Sequence, residues 1–364
     1  MGACAARELA AHAHDVTVFE QFEVDHDRGS SYGDSRIIRR FYDDPYYTAL
    51  MPQAYALWRR LERESGRQLI ETLGGLYFGP RDHARLAGAQ RGLRSVGADA
   101  ELIGARELRA RFPAFRFRDD EAGLYDELAG SLRASLCVRT AVDAACAAGA
   151  SLIAGATVRS LARARYGGVD LDIDGEMHRF DRVVLCAGPW SARLVPWMQL
   201  PIRVTRQQYA HLTPTIDAAL FQAGAMPIWI DAATDWYGFP RHGERAGVKI
   251  ASHVFGATVD PDGVDRTISE QDVTRARAYA RRRMPALADG DVAYAKTCLY
   301  SVTPDEDFIM DFVDDMPACT IVAGCSGHAF KFGTMLGAIA ADLALGRAPR
   351  ADISRFRLAR FART

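Results

Sequence analysis

Lysine is almost absent from this sequence. Only three of its 45 basic residues are lysines, at Lys249, Lys296 and Lys331, and all the others are arginines. A lysine ammonium is a compact point charge, whereas an arginine guanidinium is a planar fork, so a surviving lysine marks a place that needs the compact charge. We therefore treat all three lysines as candidate functional residues. The alternative is that they are accidents of drift.

The chain also lacks long apolar runs, a strong net charge and paired cysteines. No run approaches the ~20 apolar residues that span a bilayer, and no basic segment followed by an apolar one opens the chain. The net charge of −1 offers no footprint for nucleic acid or for an anionic membrane. The seven cysteines form no CxxC pair and have no histidine at zinc-ligand spacing. We expect a cytoplasmic protein with a small-molecule partner and no metal.

The first residues predict a helix followed by a short strand. AARELAAHA has helical spacing, and DVTVFEQ is typical of a buried strand that ends in an acid. In a dinucleotide-binding βαβ unit the third glycine of GxGxxG opens the helix, and an acid about 20 residues later binds the ribose hydroxyls. Gly2 and Glu20 lie 18 residues apart. On this interpretation the first strand and the earlier glycines of the motif are missing from the start of the chain. An unrelated helix before an edge strand is the alternative.

The remaining pattern predicts two kinds of architecture. The loop RGSSYGDSRIIRRFY is rich in Gly and Ser, which allows close approach to a phosphate. Helices dominate residues 46–112, apart from a strand-like LGGLYFG. A helix, short strands and VVLCAGPWS follow from residue 133, and the C-terminal CTIVAGCSGHAFKFGTMLGAIAADLAL again predicts strand, turn and helix. Residues 204–300 look β-rich. A length of 364 residues favours two domains.

Six segments, in this order, resemble the family of monomeric sarcosine oxidase, N-methyltryptophan oxidase and pipecolate oxidase, FAD-dependent amine oxidoreductases of the D-amino acid oxidase superfamily. They are VFEQF, GSSYGDSRIIR, WYGFP, GVKIASH, KTCLYSVTPDEDFIMD and AGCSGHAFKFG, and the resemblance covers nearly the whole chain. It implies an α/β fold (α+β, two domains). A discontinuous Rossmann-like FAD-binding domain would comprise residues 1–75, 133–203 and 303–364. An antiparallel-sheet substrate domain would comprise residues 76–132 and 204–302.

The resemblance implies that the FAD is held covalently, through a thioether between Cys298 and the flavin 8α-methyl group. A thiolate is the nucleophile for such attachment, and a neighbouring cation such as Lys296 favours it. Without the resemblance, Cys298 would more often be a buried structural cysteine. The other residues expected at the cofactor, by spacing or by resemblance, are Gly2, Glu20, Ser30, Ser31, Gly33, Arg36, Val158, Gly188, Gly327, His328 and Lys331.

Lys249 matches a family lysine near the flavin that promotes the reaction with oxygen, because a fixed positive charge stabilises the charge that develops on reduced oxygen. Arg39 and Lys331 match the pair that binds the substrate carboxylate. Tyr32 stands where relatives commonly carry His, so flavin reactivity and substrate shape are expected to differ there. The expected catalytic set is Lys249, Arg36, Tyr237, His253 and Tyr300, of which the aromatic and imidazole groups are otherwise ordinary core residues.

The implied activity is the oxidation of a secondary amino acid, N-methyl or cyclic, to an imine, with oxygen as acceptor and hydrogen peroxide as product. An acyclic imine would hydrolyse to an aldehyde and an amine. Three alternatives remain open: a flavin dehydrogenase that passes electrons to a partner protein, a truncated chain unable to hold FAD, and an NAD-dependent dehydrogenase. Lys249 argues against the first, and the last has no use for Cys298. A monomer is the family's usual state.

Overall fold

Eight α-helices and nineteen β-strands alternate along residues 1–243 and 245–361, the ranges that the computed structural model describes. The helices are α1 (Gly2–Ala10), α2 (Pro45–Ser65), α3 (Ala84–Ser95), α4 (Ala105–Arg111), α5 (Ala134–Ala147), α6 (Ser191–Leu194), α7 (Glu270–Arg283) and α8 (Gly333–Ala344). The strands are β1 (Thr17–Glu20), β2 (Arg36–Ile38), β3 (Ile70–Thr72), β4 (Gly75–Pro80), β5 (Ile103–Gly104), β6 (Glu121–Asp126), β7 (Gly130–Leu132), β8 (Ser151–Ala154), β9 (Val158–Arg163), β10 (Val169–Ile173), β11 (Glu176–Phe180), β12 (Val183–Leu185), β13 (Arg203–Leu212), β14 (Ile228–Asp231), β15 (Trp236–Phe239), β16 (Val248–Ser252), β17 (Val292–Val302), β18 (Ile309–Val313) and β19 (Met316–Ala323).

Two short sheets with parallel strand pairs pack against α1 and form the Rossmann-like part of the fold. β1 pairs in parallel with β8, and β12 pairs in parallel with β19, whose other neighbour, β18, is antiparallel to it. Helix α1 lies against α8 and α5, and a Cβ on Gly337 of α8 would come 2.4 Å from the Cβ of Cys4. This close approach therefore requires glycine. Residues of both β1 and β12 line one cavity.

The second part of the fold is an eight-stranded sheet in the order β17-β13-β16-β15-β14-β4-β6-β5. It is antiparallel as predicted, except that β14 runs parallel to β4, with Ile228 opposite Gly75. Strands β4 and β14 are distant in sequence, so a hairpin cannot set their direction. One face of the sheet packs on α7, where the rings of Trp229 and Tyr279 stack at 5.4 Å. The other face lines the cavity.

Residues 204–300 contain the five strands β13 to β17, in agreement with the β-rich pattern, and one helix, α7, that the sequence interpretation did not identify. Ser269 caps the start of α7, since the backbone N–H of Asp272 donates to Ser269 Oγ at 3.2 Å. Acidic residues in the first turn and arginines in the last complement the helix dipole. The Ser-x-x-Asp pattern at residues 269–272 is a helix-start signal that the sequence already contains.

A buried ionic network holds α7 to the sheet. Arg283 donates two hydrogen bonds to Glu121, at 2.6 and 2.8 Å, and one to Asp231 at 3.2 Å. Both carboxylate side chains are 0% exposed. One arginine therefore pairs with two buried carboxylates at once. Among the described residues, no helix combines the length and apolarity needed to cross a membrane.

Candidate active site

A cavity of about 1270 Å³ runs from the start of α1 to the inner face of the eight-stranded sheet. Small-molecule pockets usually measure ~300–1,000 Å³, so this one has room for a cofactor and a substrate together. Nearly all the predicted site residues line it: Gly2, Glu20, Ser30, Ser31, Arg36, Arg39, Val158, Gly188, Tyr237, Lys249, His253, Cys298, Tyr300, Gly327, His328 and Lys331. Tyr32 and Gly33 are not among the residues that line it.

The nucleotide end of the cavity is formed by the start of α1 and the end of β1. A Cβ on Gly2 would lie 3.4 Å from the Cβ of Cys186, so the helix begins close against β12. Met1 provides no side-chain cap, which leaves the first backbone N–H groups of the helix available to an anion. Glu20 accepts a hydrogen bond from the Phe22 N–H at 3.1 Å through one oxygen, and its other oxygen can accept from a ribose hydroxyl.

Arg36 fixes the conformation of the Gly/Ser loop by hydrogen bonds to its backbone carbonyl groups. Its guanidinium donates to the carbonyl oxygens of Ser30 at 2.8 Å and Tyr32 at 2.7 Å. Ser30 Oγ donates to the carbonyl of Leu299 at 2.6 Å, which ties the loop to β17. Gly33 has a φ of 120°, a conformation that favours glycine. Because no carboxylate is among its partners in the described chain, the Arg36 charge remains available to an anionic ligand.

Tyr32 lies over Lys296, outside the set of cavity-lining residues. The Lys296 Nζ lies 4.0 Å from the centroid of the Tyr32 ring and donates to Asp27 Oδ2 at 2.9 Å. This lysine is thus an anchor of the loop, with its positive charge in the surroundings of Cys298.

Cys298 lies on β17, opposite Gln207 of β13, with its side chain on the cavity face of the sheet. Burial raises the pKa of the Cys298 thiol, and the nearby positive charges of Arg36 and Lys249 oppose that rise. Arg266, which the sequence did not single out, adds to the same effect. The thiol is free, and the nearby cations offset part of the burial that keeps it protonated.

Lys249 lies on β16 and is only 5% exposed. Its Nζ donates to Ser35 Oγ at 3.2 Å and lies 4.2 Å from the centroid of the Tyr209 ring. Burial, reinforced by the positive charge of Arg36, lowers the pKa of Lys249 to about 7. Its charge therefore changes near neutral pH.

Arg39 and Lys331 form a cationic pair in the same cavity. Lys331 Nζ donates to Tyr42 Oη at 2.9 Å and to the His328 carbonyl at 2.8 Å, and the Arg39 guanidinium lies 3.9 Å from the Tyr42 ring centroid. Burial, and then the charge of Arg39, lowers the pKa of Lys331 well below its usual value. In the described part of the chain neither cation has a carboxylate partner. Since buried charges are normally paired, this pair is suited to an anionic ligand.

Aromatic and imidazole groups complete the chamber. The hydroxyls of Tyr237 and Tyr300 lie 3.3 Å apart, and the His253 ring lies 5.5 Å from the Tyr300 ring. Burial lowers the pKa of His253 to about 4 and raises the pKa of both tyrosines. All three groups are therefore neutral at pH 7. Gly327 packs so closely that a Cβ there would lie 2.3 Å from the Tyr300 ring.

Three residues in or beside the chamber were not singled out from the sequence. Tyr42 orients Lys331 by accepting a hydrogen bond from its Nζ. Arg85 and Asp235 line the cavity and form an ion pair, with 2.5 Å between Arg85 Nη1 and Asp235 Oδ1. Arg85 starts a helix and Asp235 lies in a hairpin turn, positions where charged residues are ordinary. Only the folded arrangement brings them to the cavity.

One cavity joins a helix N-terminus beside parallel strands to a chamber with cations that lack carboxylate partners in the described chain. This combination is typical of an enzyme that uses a dinucleotide cofactor. Residues 1–343 match the family model described as DAO, FAD dependent oxidoreductase. The chain belongs to this family. The residues present fit FAD, because the free helix N-terminus and Arg36 suit the pyrophosphate and Glu20 suits the ribose.

The chain is similar to three characterised oxidases over almost its whole length. Monomeric sarcosine oxidase of Streptomyces avermitilis is 33% identical over 351 residues, which cover 95% of this chain and 91% of the relative. Peroxisomal sarcosine oxidase of Mus musculus is 33% identical over 371 residues, covering 99% and 94%. N-methyl-L-tryptophan oxidase of Yersinia pestis is 28% identical over 368 residues, covering 99% and 96%.

Solved structures confirm the fold. NikD, an unusual amino acid oxidase essential for nikkomycin biosynthesis, superimposes with a TM-score of 0.84 at 25% identity, covering 98% of this chain and 94% of NikD. L-proline dehydrogenase from P. horikoshii gives a TM-score of 0.84 at 19% identity, covering 99% and 94%. The predicted combination of a Rossmann-like part and a sheet-built part is therefore correct.

Proposed function

We propose that this FAD-dependent oxidoreductase oxidises secondary amino acids, N-methyl or cyclic, with oxygen as acceptor and hydrogen peroxide as product. The observation that carries the proposal is the Arg39–Lys331 pair, two cations without a carboxylate partner in the chamber that also holds Cys298 and Lys249. The names of the relatives, sarcosine oxidase and N-methyl-L-tryptophan oxidase, support the same substrate class.

Arg39 and Lys331 bind the substrate carboxylate. In the protonated form that a bound carboxylate favours, Lys331 Nζ has three N–H donors, of which two already reach Tyr42 and the His328 carbonyl. The third is available to the ligand, and the two fixed bonds hold the ammonium in place. A carboxylate between two cations gains charge-assisted hydrogen bonds, which fix the orientation of the substrate.

FAD, when bound, would supply the electron-accepting chemistry for oxidation of the carbon beside the substrate nitrogen. The chamber residues orient the amine for that transfer. Neutral His253 can accept a hydrogen bond from the substrate nitrogen without adding a charge that repels it. The hydroxyls of Tyr237 and Tyr300 remain protonated and bound the space available to the N-substituent.

Cys298 would hold the cofactor through a thioether from its Sγ atom to the flavin 8α-methyl carbon, replacing one hydrogen there, with the two electrons passing to the flavin and then to oxygen. Arg36, Lys249 and Lys296 would assist by opposing the rise in the pKa of the thiol that burial causes. Lys249 holds a positive charge where oxygen is reduced, which favours the oxidase over the dehydrogenase alternative. Tyr32 and Gly33 act through the loop that carries Ser30 and Arg36.

Three further features belong to the proposal. The domain division follows the ranges given for the sequence, with the cofactor domain at residues 1–75, 133–203 and 303–364, and the substrate domain at 76–132 and 204–302. The protein is a monomer, which light scattering tests. It works in the cytoplasm, which cell fractionation tests.

Oxygen uptake by the purified, FAD-loaded protein tests the activity. Sarcosine, pipecolate and N-methyltryptophan are each supplied, and catalase is then added. Uptake that falls by half with catalase supports the oxidase, because catalase returns one oxygen molecule for every two of peroxide. Reduction of an artificial dye without oxygen uptake would support a dehydrogenase. Failure of the protein to retain FAD would support the non-catalytic alternative.

A further inference from the structure

The ion pair between Arg85 and Asp235 forms a second charged wall of the substrate chamber. Asp235 lies in the turn between β14 and β15, two residues before Tyr237, and its carbonyl accepts a hydrogen bond from the His253 N–H at 2.8 Å. Arg85 lies in the first turn of α3. Both side chains line the cavity and are about one-third exposed, at 34% and 38%, so a ligand in the chamber can reach them.

This wall carries an excess of negative charge. Arg85 donates to Asp235 Oδ1 at 2.5 Å and to Asp43 Oδ2 at 2.9 Å, so one cation is shared by two carboxylates. The Oδ2 atom of Asp235 accepts no hydrogen bond from the described residues. Within the described chain the chamber thus presents Arg39 and Lys331 without carboxylate partners, and a carboxylate with spare acceptor capacity beside His253.

We propose that Asp235 is a specificity residue that binds a hydrogen-bond donor or a cationic group on the side chain or N-substituent of the substrate. The inference rests on the proposed function, because Arg39 and Lys331 must hold the carboxylate for the other end of the molecule to reach Asp235. The preferred substrates are amino acids that carry a second donor, such as an ammonium, amide or hydroxyl group. Acidic side chains are disfavoured because they meet the excess negative charge.

A purely structural role predicts something different. Arg85 also donates to the Ala232 carbonyl at 3.0 Å, so the same ion pair could serve only to brace α3 against the β14–β15 turn. A brace affects stability and weakens all ligands alike. A binding residue discriminates between ligands that differ only in their distal group.

Calorimetric titration of the holoprotein with non-oxidisable acids separates the two roles. The probes are butanoate, pentanoate and hexanoate, each paired with the acid of the same length that carries a terminal amine. At the best length, the amino acid is expected to bind about tenfold more tightly than its plain partner, the typical gain of a charge-assisted hydrogen bond. The corresponding dicarboxylate is expected to bind more weakly than both. This comparison needs no variant.

Two variants then locate the effect. Asp235→Asn is expected to abolish the advantage of the terminal amine and to leave the plain acids within about twofold, since no carboxylate contact is removed. Asp235→Glu extends the carboxylate by one methylene and is expected to shift the preferred ligand length downward. Asp289→Asn, which breaks a surface pair with Arg281, is the matched control and should change neither series.

Each outcome decides the matter. An advantage that is absent at every length, or that survives Asp235→Asn, overturns the role of Asp235 and leaves the proposed function standing. Failure of the plain acids to bind overturns the carboxylate site at Arg39 and Lys331, and with it both proposals.

Discussion

The hydroxyl groups of Tyr237 and Tyr300 lie 3.3 Å apart, although two strands, β16 and β13, separate their own strands in the sheet. Tyr237 is opposite Ala251 on β16, and Tyr300 is opposite Thr205 on β13. Small neighbours and the twist of the sheet let the two phenols meet above the intervening strands. The pair forms part of the chamber wall.

Removal of either hydroxyl should cost activity by the same route. Tyr237→Phe and Tyr300→Phe are each expected to lower kcat/KM about fivefold, because a net hydrogen bond contributes about 1 kcal/mol. The double variant should lose little more than either single one. A double-mutant cycle on kcat/KM checks this. Fully additive losses would show that the two hydroxyls act independently.

Replacement of Cys298 tests the covalent link. Cys298→Ser is expected to bind FAD that is released into the supernatant on acid precipitation, whereas the unaltered protein keeps its colour in the pellet. Cys325→Ser is the matched control, since this thiol also lines the cavity and is not expected to bond to the cofactor. Colour that stays with the Cys298→Ser pellet would contradict the assignment.

The reaction with oxygen should depend on pH through Lys249. Its pKa is lowered to about 7, so its positive charge is complete well below pH 7 and is lost as pH rises through that value. The second-order rate constant for oxygen should therefore decline with rising pH. Lys249→Met should reduce the rate at pH 6 about 100-fold, as loss of one preorganised charge does, and remove the dependence.

Lys249→Arg is the control for this prediction. A guanidinium stays charged over the whole range, so this variant should retain part of the rate without the decline. A decline that persists in both variants would assign the titration to another group.

The cationic pair is expected to control substrate binding. Lys331→Met should raise KM for sarcosine about tenfold or more, because a charge-assisted hydrogen bond is lost at a buried site. Lys296→Met is a suitable control, since it removes a lysine that contacts Tyr32 and Asp27. Steady-state kinetics check both variants. Equal KM values for all three proteins would contradict carboxylate binding by Lys331.

Stability depends on Arg283, away from the cavity. Arg283→Met leaves Asp231 buried without its cation and Glu121 with Arg118 alone, and is expected to destabilise the protein by about 3–5 kcal/mol. Arg281→Met, which removes an exposed pair with Asp289, should cost about 1 kcal/mol or less. Denaturant unfolding measures both. Similar losses would mean that the buried network is not important for stability.

Motif-bearing residues were predictable, and residues assembled from distant segments were not. Cys298, Lys249 and Lys331 line the cavity because short local patterns place them on strands or turns that face it. The parallel pairing of β14 with β4 arises between segments that no local pattern connects. For the same reason the Arg85–Asp235 pair gives no sequence signal. Helix α7 is a different case. The capping pattern at Ser269 that starts it is present in the sequence, but the helix was not predicted.

Anaerobic mixing of the FAD-loaded protein with sarcosine, or with dimethylamine, tests the central claim most directly. The two amines share the reacting N-methyl group, and only sarcosine carries the carboxylate that Arg39 and Lys331 would bind. We expect sarcosine to bleach the visible absorbance of the bound cofactor and dimethylamine at the same concentration to leave it unchanged. Equal bleaching by both amines, or none by any of the secondary amino acids, would contradict it.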